Sequence, residues 1–256
     1  MKERTALEGL KDRIIEALGE NLVCIFLTGS RIRREERKDS DYDLAIIVSR
    51  IDEEVLNKLR SIFLGLTNYS VCVLDDSDLK ILPRAQFLQF IHSRILYGDF
   101  KYPLPSKADV ASYVNDIRRD CLDRIRHYLV LPHPHEKLAK ALLPALKSTY
   151  LSLSYLIYKE TCKLPKTRKD TITVMKKRKY GKLGIALMEI LEDWDSCKEK
   201  HLANPVPLLL QIEAFFRTLL IYSRSKFTHL IRSSPRYPVW MTVPRLMRSG
   251  TSASPR

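Results

Sequence analysis

Apolar positions follow a mixed pattern through the first hundred residues and a purely helical one beyond them. Leu7, Leu10, Ile14 and Leu18 recur at helical spacing, and Gly19 is placed to end that helix. Leu22–Leu27 is a short apolar run with β-branched and aromatic members, which predicts a buried strand, and Asp43–Val48 predicts a second. Leu56, Leu59 and Phe63 give 53–64 a helical period, and Tyr69–Leu74 reads as a third strand. Strands alternating with helices predict a compact sheet domain over 1–102.

After Pro103 and Pro105 the period becomes helical throughout. Ser106 with Asp109 forms a short-armed capping box, followed by an apolar stripe at Val110, Tyr113, Val114, Ile117, Cys121 and Ile125. Further helices are predicted at 136–160, 182–196 and 206–230, the last opened by Asn204 and Pro205. The expected fold is α+β: a small mixed sheet with helices, then an all-α bundle over 103–232. A Pro-, Ser- and Arg-rich tail without acidic residues, 233–256, reads as disordered.

The chemistry concentrates between the first two strands. A strand leads into Gly29-Ser30, ten residues separate Ser30 from Asp41, and Asp43 follows at the next same-face position. Glycine lets the backbone approach a ligand, and Ser30 brings a hydroxyl and an N–H to a predicted helix start, where phosphate is favoured. Asp41 and Asp43, two apart on a strand, point to one face with Cα atoms roughly 6–7 Å apart. Ionised carboxylates that close repel, and a divalent cation relieves the repulsion. Magnesium suits such a site because it takes a few carboxylates together with phosphate oxygens. Arg31 and Arg33 are candidates to neutralise phosphate, with a solvated loop as the competing reading.

Gly-Ser, ten residues and Asp-x-Asp between strands resembles the signature of the DNA polymerase beta superfamily of nucleotidyltransferases. The stretch from Gly29 to Val48 is especially similar to its minimal members, and the resemblance spans roughly residues 20–100, through Val71–Leu79 to Ile91–Gly98. It implies a magnesium-dependent enzyme that moves a nucleoside monophosphate from an NTP, ATP foremost, to an acceptor hydroxyl and releases pyrophosphate. Gly29, Ser30 and Arg31 would bind the nucleotide, and Asp41 and Asp43 would be the catalytic metal ligands. The acceptor stays open: a protein, as in antitoxin-type relatives with a toxin-like partner, a small molecule, or an RNA end. A homo-oligomer is also compatible. Full members carry a third carboxylate on the next strand, and the motif alignment places Cys72 there. Asp75 has the opposite side-chain parity, and Asp76 lies roughly 13 Å further along. A catalytically weak or silent nucleotide-binding protein is therefore the alternative.

Charge adds a second feature. Residues 1–100 carry a net −2 while the whole chain carries +14, so the excess lies in the second half. Residues 159–182 alone hold ten basic and two acidic residues, including Lys176, Lys177, Arg178 and Lys179. That stretch is the candidate contact for RNA or another polyanion, a solvated linker being the alternative. Five scattered cysteines without a CxxC pair indicate neither a zinc site nor a disulfide framework. His133-Pro-His135 has no third ligand spaced to join it, and reads as a surface loop. Arg224 and His229 have the R-x4-H spacing of HEPN-type ribonuclease domains, a two-residue pattern that arises easily by chance. Pro205–Tyr222 is interrupted by Gln211, Glu213 and Arg217, which predicts a buried helix instead of a membrane span. No signal-peptide core follows Met1, so the expectation is a soluble cytoplasmic protein.

Overall fold

A computed structural model describes residues 2–37, 40–178 and 181–224. The expected tail, Lys179 and His229 lie outside these residues. Helix α1 (Lys2–Leu18) leads to strand β1 (Leu22–Thr28), a short helix α2 (Gly29–Arg33) and β2 (Tyr42–Val48). Helix α3 (Glu53–Phe63), β3 (Tyr69–Leu74), α4 (Asp76–Ile81), a 3-10 segment (Arg84–Phe90) and β4 (Arg94–Gly98) follow. The sheet order is β3-β2-β1-β4, with β1 antiparallel to β2 and β4, and β2 parallel to β3.

Alternation along the strands gives the sheet two apolar faces. Ile25, Leu27, Leu44, Ile46 and Val48 pack with Leu7, Leu10 and Ile14 of α1 and Val55, Leu59 and Ile62 of α3. Cys24, Phe26, Ala45 and Ile47 face the other way, onto Phe87 and Phe90. The inward face of α3 differs from the expected one. Asp52 caps the helix by accepting from the Val55 amide, Val55 and Ile62 turn inward with Leu59, and Leu56 is 49% exposed.

The rest is helical: α5 (Lys107–Val130), α6 (His135–Thr161), α7 (Arg168–Arg178), α8 (Lys182–Glu192), α9 (Trp194–Ala203) and α10 (Val206–Arg224). The capping box at Ser106 and Asp109 forms, and all six residues of the predicted α5 stripe are buried. Three expectations need correction. The basic stretch is not a linker: much of it is α7, whose Thr171 and Met175 are fully buried. The single helix expected at 182–196 is two, broken at Asp193. The short edge strand β4 had no strand reading of its own.

Ala85 and Leu88 of the 3-10 segment belong to the helical core, whereas their neighbours Phe87 and Phe90 belong to the sheet's second face. Seven residues thus tie the two cores together. His92 adds a hydrogen-bond contact at 3.0 Å to the carbonyl of Leu164, before α7. No described helix is long and apolar enough to cross a membrane.

Candidate functional site

The antiparallel register of β1 and β2 pairs Thr28 with Asp43, so the chain leaves β1 beside that carboxylate. Gly29 has φ +80°, and a Cβ added there would lie 1.8 Å from Asp43 Oδ2. Glycine is needed on both counts: the backbone is left-handed, and the carboxylate occupies the space a side chain would fill. Thr28 Oγ1 donates to the Asp43 carbonyl at 3.3 Å, which closes the corner. Ser30 follows in the first turn of α2, which ends at Arg34 in the left-handed region.

Arg31 spans the loop between the two motifs. Its Nη2 and Nε donate to the Ser40 carbonyl at 2.7 and 3.2 Å, and its guanidinium lies 4.0 Å over the Tyr42 ring. The side chain expected to meet phosphate is thus already engaged in holding the residues on either side of Asp41.

Burial pushes the Asp43 carboxyl above its ordinary value; Lys147 and Arg33 oppose the shift, Asp41 adds to it, and Arg31 opposes it. Lys147 belongs to α6, so the helical region contributes a cation to a site otherwise built by the sheet. Tyr150, one turn along α6, lies beneath the Arg33 guanidinium at 5.8 Å, and its own burial raises its phenol. Neither α6 residue was singled out from the sequence. A lysine and a tyrosine three apart on a long helix have no linear signature, and only the packing of α6 near Arg33 selects them.

Strand register sets which β3 residue lies beside Asp43. Asp43 pairs with Ser70 in the parallel β2–β3 ladder, and Cys72 pairs with Ala45. Paired residues share a face with Cα atoms about 4.8 Å apart, so Ser70 is the β3 residue beside Asp43, and Cys72 lies about 6.6 Å further along the strand. Ser70 is exposed. Cys72 packs against the apolar cluster around Phe26, and burial pushes its thiol up to about 11. A neutral thiol there is a core side chain.

Asp75 is a helix cap. It starts α4, accepts from the Ser77 and Asp78 amides at 2.8 and 3.1 Å and from the Ile51 amide at 3.2 Å. The Ser77 hydroxyl leads the group of donors that hold its carboxyl down to about 2.

Among the described residues no group of three or more His, Cys, Asp or Glu side chains is assembled to hold a metal. Histidines 133 and 135 diverge: His133 stands 5.0 Å from the His127 ring, and His135 contacts the Ala203 carbonyl at 3.1 Å. On α7, Lys176 pairs with Glu189 at 2.6 Å and Lys177 is exposed; the Arg178 side chain lies outside the described set, as does that of Arg224.

No known protein family matches the chain, and no curated protein sequence does. Solved structures do resemble it. One is a spectinomycin adenyltransferase AAD(9) from Enterococcus faecialis with ATP and spectinomycin: 12% identity, TM-score 0.47, covering 82% of this chain and 97% of that one. Another is a toxin–antitoxin with AMP-PNP: 18% identity, TM-score 0.27, covering 48% of this chain and 98% of that one.

Proposed function

We propose that the chain is a nucleotidyltransferase, which binds an NTP at Gly29, Ser30, Asp41 and Asp43 and passes its nucleoside monophosphate to an acceptor hydroxyl. The supporting observation is the contact of Gly29 with Asp43. It brings a Gly-Ser turn, whose backbone can approach phosphate, against a carboxylate raised by burial and by Asp41. Asp41 and Asp43 would hold magnesium, whose chemistry there is to neutralise triphosphate oxygens and stabilise charge as it develops. Two protein carboxylates are enough for this cation when phosphate completes its shell.

The remaining residues set the surroundings. Arg31 fixes the loop, while Arg33 and Lys147 bring positive charge around Asp43 and would favour a triphosphate between the sheet and α6. Tyr150 walls the site on the helical side. The acceptor, whether a protein, a small molecule or RNA, would enter beside Ser70. A serine in that place cannot act as a carboxylate base, and this supports a second reading, in which the protein holds a nucleotide with little turnover.

Incubation with α-labelled NTPs, magnesium and cell extract separates the two. Covalent label on an acceptor, absent with Asp43→Asn, is expected of the transferase. Retained Mg-ATP binding without any labelled acceptor supports the second reading.

A further inference from the structure

The ten-residue spacer between Ser30 and Asp41 is clamped by the helical region, through charges buried between the two. Glu35 is 7% exposed. Its carboxylate accepts from the backbone amide of Arg168, the first residue of α7, and lies 3.3 Å from Arg168 Nε. Arg168 Nη2 donates to the Glu35 carbonyl at 3.0 Å. The same guanidinium, 13% exposed, has its Nε 3.0 Å from Glu192 Oε2, an ion pair without hydrogen-bond alignment. Two residues on, Arg37 donates to the Leu191 carbonyl at 2.9 Å in the last turn of α8, and its Nε stands 3.5 Å from Asp195.

The spacer therefore sends an acid to the start of one helix and a base to the end of another, the signs each helix dipole favours. A chance surface contact has no reason to match both. Toward the site, Glu35 also accepts from Arg33 Nε at 3.0 Å, and its amide donates to the Ser30 carbonyl at 2.9 Å. Arg33 in turn is one of the cations acting on Asp43. A continuous chain of contacts thus runs from α7 through Glu35 to Arg33 and the Gly-Ser turn, and Arg33 acts electrostatically on Asp43.

We propose that Arg168 and Glu35 are positioning residues for nucleotide binding: Arg168, on a helix outside the site, sets the spacer so that Gly29-Ser30, Arg33 and Asp41 face one ligand. This rests on the nucleotide-site reading above and adds to it the element that aligns the site. The helical region then completes the site as well as walling it.

The test compares full-length wild type with Arg168→Lys, Glu35→Gln and Arg168→Ala, by calorimetry with Mg-ATP and by amide hydrogen exchange. Arg168→Lys keeps the charge but loses the fork that reaches both Glu35 and Glu192. It is expected to retain the wild-type thermal midpoint, to exchange faster over 34–41 alone, and to bind Mg-ATP about tenfold more weakly, since small misplacements in such sites are costly. Glu35→Gln should act in the same direction, and Arg168→Ala more strongly. Wild-type affinity in both Arg168→Lys and Glu35→Gln would overturn the proposal, and so would weaker binding accompanied by loss of protection throughout α5–α10, which is unfolding. Failure of the wild type itself to bind Mg-ATP would overturn the nucleotide-site reading and this proposal together. That result is distinct, because it appears before any substitution is made.

Discussion

The sheet region and the helical region use charge in opposite ways around the same loop. In the sheet region like charges meet: Asp41 lies close enough to Asp43 to raise it, and the Gly29 backbone abuts that carboxylate. In the helical region opposite charges meet and are buried, as at Arg168 with Glu35 and Glu192. A buried carboxylate that stays above its ordinary value despite Lys147 and Arg33 nearby has room for a further cation, whereas a closed ion-pair network needs none. This difference supports the proposed placement of a ligand on the sheet side of the loop, with the helical side as clamp and wall.

The contrast breaks most sharply at Gly29. Gly29→Ala would place a methyl group where Asp43 Oδ2 lies and force alanine to φ +80°. The backbone strain alone costs about 1–3 kcal/mol. With the carboxylate displaced, Mg-ATP affinity should fall by more than about a hundredfold, readable by calorimetry. An unchanged affinity would mean that this corner does not face the ligand.

The corner was legible in the sequence because its parts are close together: Gly-Ser and Asp-x-Asp span fifteen residues just after a strand, and each needs its residue type for a local reason. The α5 stripe was legible likewise, since Ser106 and Asp109 fix where the helix begins and 3.6-residue periodicity does the rest. What stayed hidden depends on partners. Tyr69 pairs with Tyr42, and that register places Ser70 instead of Cys72 beside Asp43. Counting along β3 alone does not reveal it. Charge masked α7, because the short run from its buried Thr171 to its buried Met175 is flanked by Lys169, Lys176 and Lys177. Arg168 reaches Glu35, and Lys147 acts on Asp43, only because α6 and α7 pack there.

A second comparison sets Ser70 against Cys72. Ser70→Asp would put a carboxylate on the exposed position beside Asp43. It should raise transfer by up to about a hundredfold if base strength limits turnover, the scale of a positioned acid–base group. Cys72→Asp would bury a carboxylate in the Phe26 cluster, lowering stability by about 1–3 kcal/mol without any gain in transfer. Activation by Cys72→Asp and not by Ser70→Asp would show that the strand register is misassigned.

Asp75 sharpens the same distinction between structural and functional acids. Its carboxyl is held down from 3.8 to about 2 by donors at the start of α4. A folded-state value below the unfolded one stabilises the fold above pH 3.8, and this contribution is lost as pH falls through about 2. Asp75→Asn should therefore lower the thermal midpoint at neutral pH, with the gap to wild type closing over that acidic window, while Mg-ATP affinity is unchanged. Asp43 has the opposite sign. Its carboxyl is raised, so ionisation opposes folding at neutral pH, and Asp43→Asn should leave the metal-free midpoint equal or higher. A lower midpoint would make Asp43 a structural acid too.

The smallest effect is expected on α7. Replacing Lys176, Lys177, Arg178 and Lys179 with Gln should flatten the salt dependence of any RNA or DNA binding by about one to three in log–log slope, since each released phosphate contact contributes about 0.9. The Lys176–Glu189 pair keeps the expected change below that of four unpaired cations. Absence of binding at low salt would leave α7 as clamp alone.

In the proposed site, the sheet side of the loop holds a nucleotide through Asp41 and Asp43. Calorimetric titration of the wild type and of an Asp41→Asn, Asp43→Asn double variant with ATP, with and without magnesium, tests it most directly. The wild type should bind only with magnesium, and the double variant, with its fold intact, should lose that binding. Equal affinity in the two proteins, or wild-type binding indifferent to magnesium, would contradict the proposed site.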